Sequence, residues 1–309
     1  MLPEHRPRVS FAVPVYNEER SIRRCLDSIL GQSFADFEVV VCDNASTDRT
    51  REILADYAAR DRRMRVFRND VNIGLIRNFN RAFDLTQGAL FRWVGGDDWL
   101  EPEYTARCVA ALDADPGAIV ATSGFALHDA DGTCRSEEFV GERLESESSV
   151  RRFARMLWFL HAGATKYEPL YSLMRREALA RTGRIRPIPY NDYVLVSELS
   201  LAGRFVHVPS LLFHRTLRAP TNRTVLFERL MPGSSWALGG AFLAMARAQL
   251  SVIREAPLST GERARCYATV CRYLAREAWE ICHAGIVSFR RDRLRLTRVR
   301  LRQLFGVRG

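Results

Sequence analysis

An α/β fold, with a mixed but mostly parallel sheet flanked by helices and a helical extension at the C-terminus, is what three features of this sequence predict. Apolar runs alternate with segments of helical periodicity four times within the first 112 residues. Such alternation implies parallel strands joined by right-handed crossovers. The runs are apolar at nearly every position, as strands covered on both faces must be. Beyond Pro220 the alternation stops and two long helical segments follow.

The first strand is expected over Val9 to Val15. Pro14 cannot donate to a ladder, so the strand should end or reach an edge there. Tyr16-Asn17-Glu18-Glu19 reads as a loop. Ile22, Cys25, Leu26, Ile29 and Leu30 then recur at helical spacing, giving a helix with one apolar face that stops at Gly31. Phe37 to Cys42 is a second strand ending on Asp43. The capping-rich run Asn44 to Asp48 opens a helix marked by Ile53, Leu54 and Tyr57. Met64 to Phe67 is a short third strand. Asn69 to Asn80 is a loop entering a helix at Phe79, Ala82 and Phe83. Ala89 to Val94 is the fourth strand, running into Gly95-Gly96-Asp97-Asp98.

Ala118 to Leu127 continues as a strand, and Asp131-Gly132 is a hairpin signal before a partner over Thr133 to Val140. Glu142 to Ser149 is a polar, exposed loop. Val150 to Leu160 is helical and Leu170 to Met174 a strand. Asn191-Asp192 opens a helix that Gly203 ends, and Phe205 to Phe213 is a last strand before His214-Arg215. Leu226 to Ile253 and Glu262 to Ile281 are helices with a turn near Pro257 to Gly261. These readings divide the chain into residues 1–217 and a basic helical extension, 218–309.

In parallel α/β sheets, ligands bind beyond the carboxyl ends of the strands. Tyr16-Asn17, Asp43 and Asp97-Asp98 all lie just past expected strand ends, so they should meet along one rim. Adjacent carboxylates at Asp97 and Asp98 repel each other, which calls for a positive partner. A divalent cation carrying a diphosphate is one solution, because hard cations take carboxylate and phosphate oxygens. A solvated turn is the other, since Gly-Gly-Asp-Asp has good turn chemistry.

Seven scattered cysteines without a Cys-x-x-Cys pair argue against a disulfide framework and a structural zinc site, and for a reducing compartment. No apolar run reaches about 18 residues, and the N-terminus lacks the apolar core of a signal peptide. A cytoplasmic protein is therefore expected, with peripheral contact at the inner face of the plasma membrane. The net charge of +10 sits in the last third, where residues 216–309 carry 17 arginines against 6 acidic residues. Anionic lipid or an acidic partner fits this excess, and nucleic acid is not invoked. A preference for arginine codons fits it equally, since Lys166 is the sole lysine.

Val-Pro-Val-Tyr-Asn-Glu at 13–18, Asp-Asn-Ala-Ser-Thr-Asp at 43–48, Asn-Ile-Gly at 72–74, Gly-Asp-Asp at 96–98 and Asn-Asp at 191–192 follow one another in this order. Over about the first 215 residues the chain resembles the family 2 glycosyltransferases, which have the Rossmann-like GT-A fold. The resemblance implies an inverting transfer of one sugar from a nucleoside diphosphate to an acceptor hydroxyl, in cell-surface glycan or glycolipid assembly. Pro14, Tyr16, Asn17, Glu18 and Asp43 would hold the base. Asn72 and Gly74 would lie along the nucleoside, with Asp97 at the ribose or supporting the metal. Asp98 would help bind Mg²⁺ or Mn²⁺ across the diphosphate, and Arg215 would pair with its phosphate oxygens. Asp192 matches the general base, although Asn191 replaces the family's usual Glu. The donor would be a UDP-, dTDP- or GDP-sugar and the acceptor a glycan or lipid-linked sugar. Without a Gln-x-x-Arg-Trp motif or a membrane span, a processive synthase is not expected. The C-terminal helices match nothing in the family; covering the acceptor site, dimerising and resting on a membrane are three uses for them. A sugar-nucleotide-binding protein without catalysis remains an alternative. A nucleotidyltransferase is another, but Val13 to Glu19 lacks the Gly-rich phosphate loop it would need.

Overall fold

The computed structural model describes residues 6–129, 132–136, 141–162, 169–217, 238–277 and 279. The first four strands are β1 (Val9–Val15), β2 (Phe37–Asp43), β3 (Met64–Arg68) and β4 (Leu90–Trp93). Helices α1 (Ile22–Leu30), α2 (Thr50–Arg60) and α3 (Leu75–Asp84) lie between them. β1 pairs in parallel with β2 and β4, and β2 with β3. Every residue of β1 and β2 is buried. Alternation divides them between two cores: Phe11, Val13, Val15, Val39 and Val41 face one, and Ala12, Val40 and Cys42 the other. The predicted apolar face of α1 is the buried one, through Ile22, Cys25, Leu26 and Ile29.

Pro14 does not end β1, which runs to Val15 in the middle of the sheet. Val94 N–H donates to Ala12 O on the β4 side, and β4 pairs no further than Ala12. Residues two apart point the same way, so the missing N–H of Pro14 faces a place where the ladder has already stopped.

The remaining elements are β5 (Trp99–Leu100), α4 (Tyr104–Ala114), β6 (Ala118–His128), β7 (Cys134–Arg135), α5 (Ser149–Ala162), β8 (Leu173–Arg175), α6 (Arg176–Ala180), α7 (Asn191–Ala202) and β9 (Arg204–Thr216). The strand order is β3-β2-β1-β4-β8-β6-β9-β5, with β7 on β6. β8 enters antiparallel between β4 and β6, so the sheet is mixed. The hairpin partner expected over Thr133 to Val140 is the two-residue β7, and 137–140 lie outside the described residues. Leu144, in the segment expected to be an exposed loop, is fully buried in the second core.

His214 and Arg215 were expected after the last strand; they are part of it. β9 continues to Thr216 because β6 pairs with it on one side as far as His128↔Thr216, and β5 on the other through Trp99↔His214.

Two C-terminal helices follow, α8 (Leu238–Glu255) and α9 (260–277). Ser259 and Glu262 form a reciprocal capping box that starts α9, with Ser259 N–H to Glu262 Oε2 at 2.9 Å and Glu262 N–H to Ser259 Oγ at 3.3 Å. A third core joins Phe153 and Leu157 of α5, Val194 and Leu201 of α7, Met245, Val252 and Ile253 of α8, and Cys266 and Val270 of α9. Residues 226–237, 278 and 280–281 of the expected helices, and the basic tail Arg290 to Arg302, lie outside the described residues. Among the described residues, no helix is long and apolar enough to cross a membrane. Cys25, Cys42, Cys108, Cys134, Cys266 and Cys271 are free thiols.

Candidate active site

Parallel pairing brings the carboxyl ends of β1, β2 and β4 to one edge, and the loops that follow are bonded to one another. Asn17 N–H donates to Ser46 Oγ at 3.0 Å, and Thr47 N–H returns to Asn17 Oδ1 at 2.8 Å. Glu18 N–H donates to Thr50 Oγ1 at 2.8 Å. Asn17 adopts a left-handed conformation (φ 56°), which asparagine tolerates better than most residues. Asn17 and Glu18 therefore weld two loops together, while Tyr16 stands exposed beside them. A Cβ on Gly96 would come within 3.0 Å of Glu18 Cγ, which puts the β4 turn against the same loop.

Asp43 is buried at the end of β2. Its carboxylate accepts Ser46 N–H at 2.9 Å and is paired with the Arg68 guanidinium, whose Nη2 also donates to Ser46 O at 3.1 Å. Arg68 carries no motif and was not singled out in the sequence. It ends β3, and only parallel pairing at Asp43↔Arg68 brings the two together. Arg68→Ala should lower the melting temperature and cost about 1–3 kcal/mol, the usual penalty for leaving a buried acceptor unpaired; thermal unfolding reads it.

Asn72 and Gly74 enter a network of asparagines. Asn72 Oδ1 accepts Asn44 Nδ2 at 2.7 Å and Gly74 N–H at 2.9 Å. Asn44 Oδ1 accepts Asn69 Nδ2 at 2.8 Å and Ile73 N–H at 2.9 Å, and Asn78 Nδ2 donates to Cys42 O at 2.9 Å. Gly74 caps α3 at φ 83°, ψ 158°, a conformation only glycine adopts without strain. Asn44 stood in the quoted motif without a role of its own, and Asn69 and Asn78 were not singled out, because amides at these spacings look like ordinary turn and cap residues.

Gly95 lets the two acidic side chains fold back over the turn. A Cβ there would lie 2.7 Å from Asp98 Oδ2 and 3.1 Å from Asp97 Oδ1. Asp98 is buried, and its Oδ1 accepts Thr216 N–H at 2.9 Å; Thr216 Oγ1 donates to Asp97 O at 2.6 Å. The last residue of β9 thus anchors both members of the pair. Burial, and then the neighbouring Asp97, push the Asp98 carboxyl up to about 7 against the pull of Arg215, the Thr216 N–H and Arg92. Arg92 lies buried beneath, its guanidinium 4.1 Å from the Tyr104 ring centre and 4.4 Å from that of Phe213. Gly95→Ala should displace the Asp98 carboxylate from Thr216 and lower stability by about 1–3 kcal/mol; an unchanged melting curve would contradict the close approach.

Asp192 lies in the first turn of α7, half-buried. Burial raises its pKa, and the Tyr193 N–H and Arg215 oppose the rise. Arg215, on β9, therefore acts on both Asp98 and Asp192. Its neighbour His214 faces elsewhere, bonded to Glu101 at 2.7 Å and His128 at 3.0 Å and stacked on Trp99. Asn191 bonds Ile188 O through Nδ2 at 3.1 Å.

The description "Glycosyl transferase family 2" belongs to the family model that residues 10–183 match. The Escherichia coli chondroitin synthase is 29% identical over 220 residues, covering 68% of this chain and 29% of that protein. The chain spans less than half the length of the first curated relatives it matches. Among solved structures, Staphylococcus aureus TarS (residues 1–349) in complex with UDP superposes with a TM-score of 0.63 at 20% identity, over 87% of this chain and 71% of that one. The mannosyltransferase PcManGT from Pyrobaculum calidifontis, in complex with GDP-Man and Mn²⁺, gives a TM-score of 0.51 at 18% identity, over 93% of this chain and 82% of that one. These likenesses are to the GT-A fold that the strand order and the carboxylate rim display. Because the family match spans more than half of the chain, this protein belongs to glycosyl transferase family 2 and has the GT-A fold.

Proposed function

We propose that the enzyme moves one sugar, with inversion, from a nucleoside-diphosphate-sugar to an acceptor hydroxyl. The observation that carries this reading is the strand-end rim, where the loops after β1 and β2 are bonded together beside Asp43 and the turn after β4 holds Asp97 and Asp98 against them. A diphosphate held at Asp98 and a base at Asp192, both of which feel the Arg215 charge, would flank one reacting carbon, as in-line inversion requires. Tyr16, Asp43, Asn72 and Gly74 would take the nucleoside, with Pro14, Asn17 and Glu18 shaping that pocket from behind. Asp43 keeps acceptor capacity beyond its two partners, so an imide N–H of uracil or thymine suits it.

Asp97 and Asp98 supply the carboxylate oxygens that a hard divalent cation takes, and Mg²⁺ or Mn²⁺ would offset their mutual repulsion; among the described residues no third His, Cys, Asp or Glu joins them as a ligand, so the diphosphate would have to complete the coordination. When bound, such an ion would neutralise the departing diphosphate. Asp192, ionised, would take the acceptor proton as its oxygen attacks the anomeric carbon.

In this reading, residues 1–217 bear the donor site and the base, and 218–309 form the extension. Transfer of a single sugar is supported by the missing Gln-x-x-Arg-Trp motif, and a cell-surface product by the polysaccharide synthases among the relatives. Peripheral contact with anionic lipid rests on the basic tail alone.

Thermal-shift titration with UDP, dTDP and GDP tests the donor site. At least one should raise the melting temperature with Mn²⁺, and EDTA should reverse most of the rise. No shift with any of the three would overturn the reading. An α-linked donor should give a β-linked product by proton NMR; a retained anomer would refute inversion.

A further inference from the structure

Tyrosines drawn from two parts of the chain pack against one core beside the helix entrance that presents Asp192. Tyr190 precedes α7 in a left-handed conformation, φ 58° and ψ 32°, which turns the chain sharply into the helix. Its ring lies 5.6 Å from that of Tyr193, one residue beyond Asp192, at an interplanar angle of 43°. Tyr273, on α9, packs against the same third core as Tyr190 and Tyr193. All three rings are half-buried, so each keeps part of its surface open to solvent.

α8 and α9 are locked to α7 at this point. Gln249 of α8 is buried and its Nε2 donates to Ser197 Oγ at 3.0 Å and Tyr193 O at 3.4 Å, both on α7. Cys266 and Val270, two turns and one turn before Tyr273, are buried in the same cluster as Val194. The extension therefore reaches the helix bearing Asp192 as a packed part of the structure. Tyr273 also feels the charge of Asp192 along with Tyr190 and Tyr193, while its own hydroxyl is pushed up chiefly by burial.

Tyrosine offers a saccharide a flat apolar face for one side of the ring and a hydroxyl for its edge. Ligand sites with a few polar groups set among aromatic side chains hold a ligand in one orientation. We propose that Tyr190, Tyr193 and Tyr273 form the acceptor subsite, stacking against the C–H face of a pyranose ring so that one hydroxyl reaches Asp192. The C-terminal helices are in that case a specificity element, and the acceptor is a glycoside. The assignment rests on Asp192 being the base.

The test uses the full chain and three probes: the 4-nitrophenyl β-glycosides of glucose, galactose and N-acetylglucosamine. With UDP and Mn²⁺ present, saturation-transfer NMR on the wild type should show contact to the sugar ring protons of at least one. Tyr273→Ala should weaken that contact at least fivefold, while Tyr273→Phe, which keeps the ring, should retain it. UDP-induced melting shifts should be equal in all three proteins, which confirms that they are folded and that the donor site is intact. Absence of ring-proton contact with every probe in the wild type, or undiminished contact in Tyr273→Ala, overturns the subsite. Failure of the base reading shows separately: Asp192→Asn would still transfer sugar, whatever the glycosides do.

Discussion

Asp192→Asn is expected to lower kcat for sugar transfer by about 10²–10⁴-fold, the range a positioned general base contributes. Asparagine keeps the size and the place in the first turn of α7 but cannot accept a proton. Nucleotide binding should be unaffected, because Asp192 is carried on α7 and not by the strand-end loops. The comparison is a turnover assay beside a UDP thermal-shift titration on the same preparations. Transfer at the wild-type rate would remove Asp192 from the chemistry. A wild type that binds nucleotide and never turns over would favour a binding protein instead. The pH profile adds a second reading. Burial holds the Asp192 carboxyl above its ordinary value, so the acid limb of kcat should lie above the normal carboxylate range. In Asp192→Asn that limb should vanish from the residual rate.

Asp98→Asn should have opposite effects on function and on stability. Nucleotide affinity in the presence of Mn²⁺ should fall at least tenfold, since one of the two carboxylates proposed to hold the cation is gone. The ligand-free protein should become more stable above pH 7. Asp98 has its carboxyl raised to about 7 from 3.8 in the folded state. Between those values the folded chain holds a proton that the unfolded chain has released. Its stability therefore falls as pH rises through the window. Above pH 7 the buried carboxylate is ionised and the full penalty is present, on the order of 2–4 kcal/mol. Asparagine removes it and still offers an oxygen to the Thr216 N–H. The melting temperature of Asp98→Asn should exceed that of the wild type by several degrees at pH 8 and match it near pH 4. Equal curves at both pH values, with unchanged nucleotide affinity, would show that Asp98 is neither strained nor a ligand. A bound cation reverses the sign for the wild type, so the measurement is made with chelator present.

How far the site could be read from the chain depended on how locally each part is encoded. Asp43, Asp97 and Asp98 were legible because each directly follows a short apolar strand, and parallel topology then puts strand ends together without further information. Asp192 was legible through the Asn-Asp pair at a helix start. Arg68, Thr216 and Arg92 were not, although they set the charge and the anchoring of those same carboxylates. Nothing in the neighbours of Arg68 and Thr216 distinguishes them from surface residues, and the apolar run around Arg92 marks its burial without showing which carboxylate it lies beneath. Arg215 was expected beyond the last strand and lies within it, because β5 and the far end of β6 extend β9 and both come from elsewhere in the chain. Tyr273 lay in a segment whose packing against the core beneath Asp192 no periodicity could reveal.

By itself the sequence determined the order and kind of the first seven elements, the two-sided burial of the sheet, and the meeting of acidic residues on one rim. Those features follow from hydrophobic periodicity and strand-end position, which act over a few residues at a time. Only the tertiary structure decided that β8 enters antiparallel between β4 and β6, that Thr216 grips both aspartates, and that α8 and α9 share a core with the helix bearing Asp192. Each of these joins residues far apart in the chain. Such contacts form because the assembled surfaces are complementary in shape and charge, and no local pattern specifies which distant surface will fit.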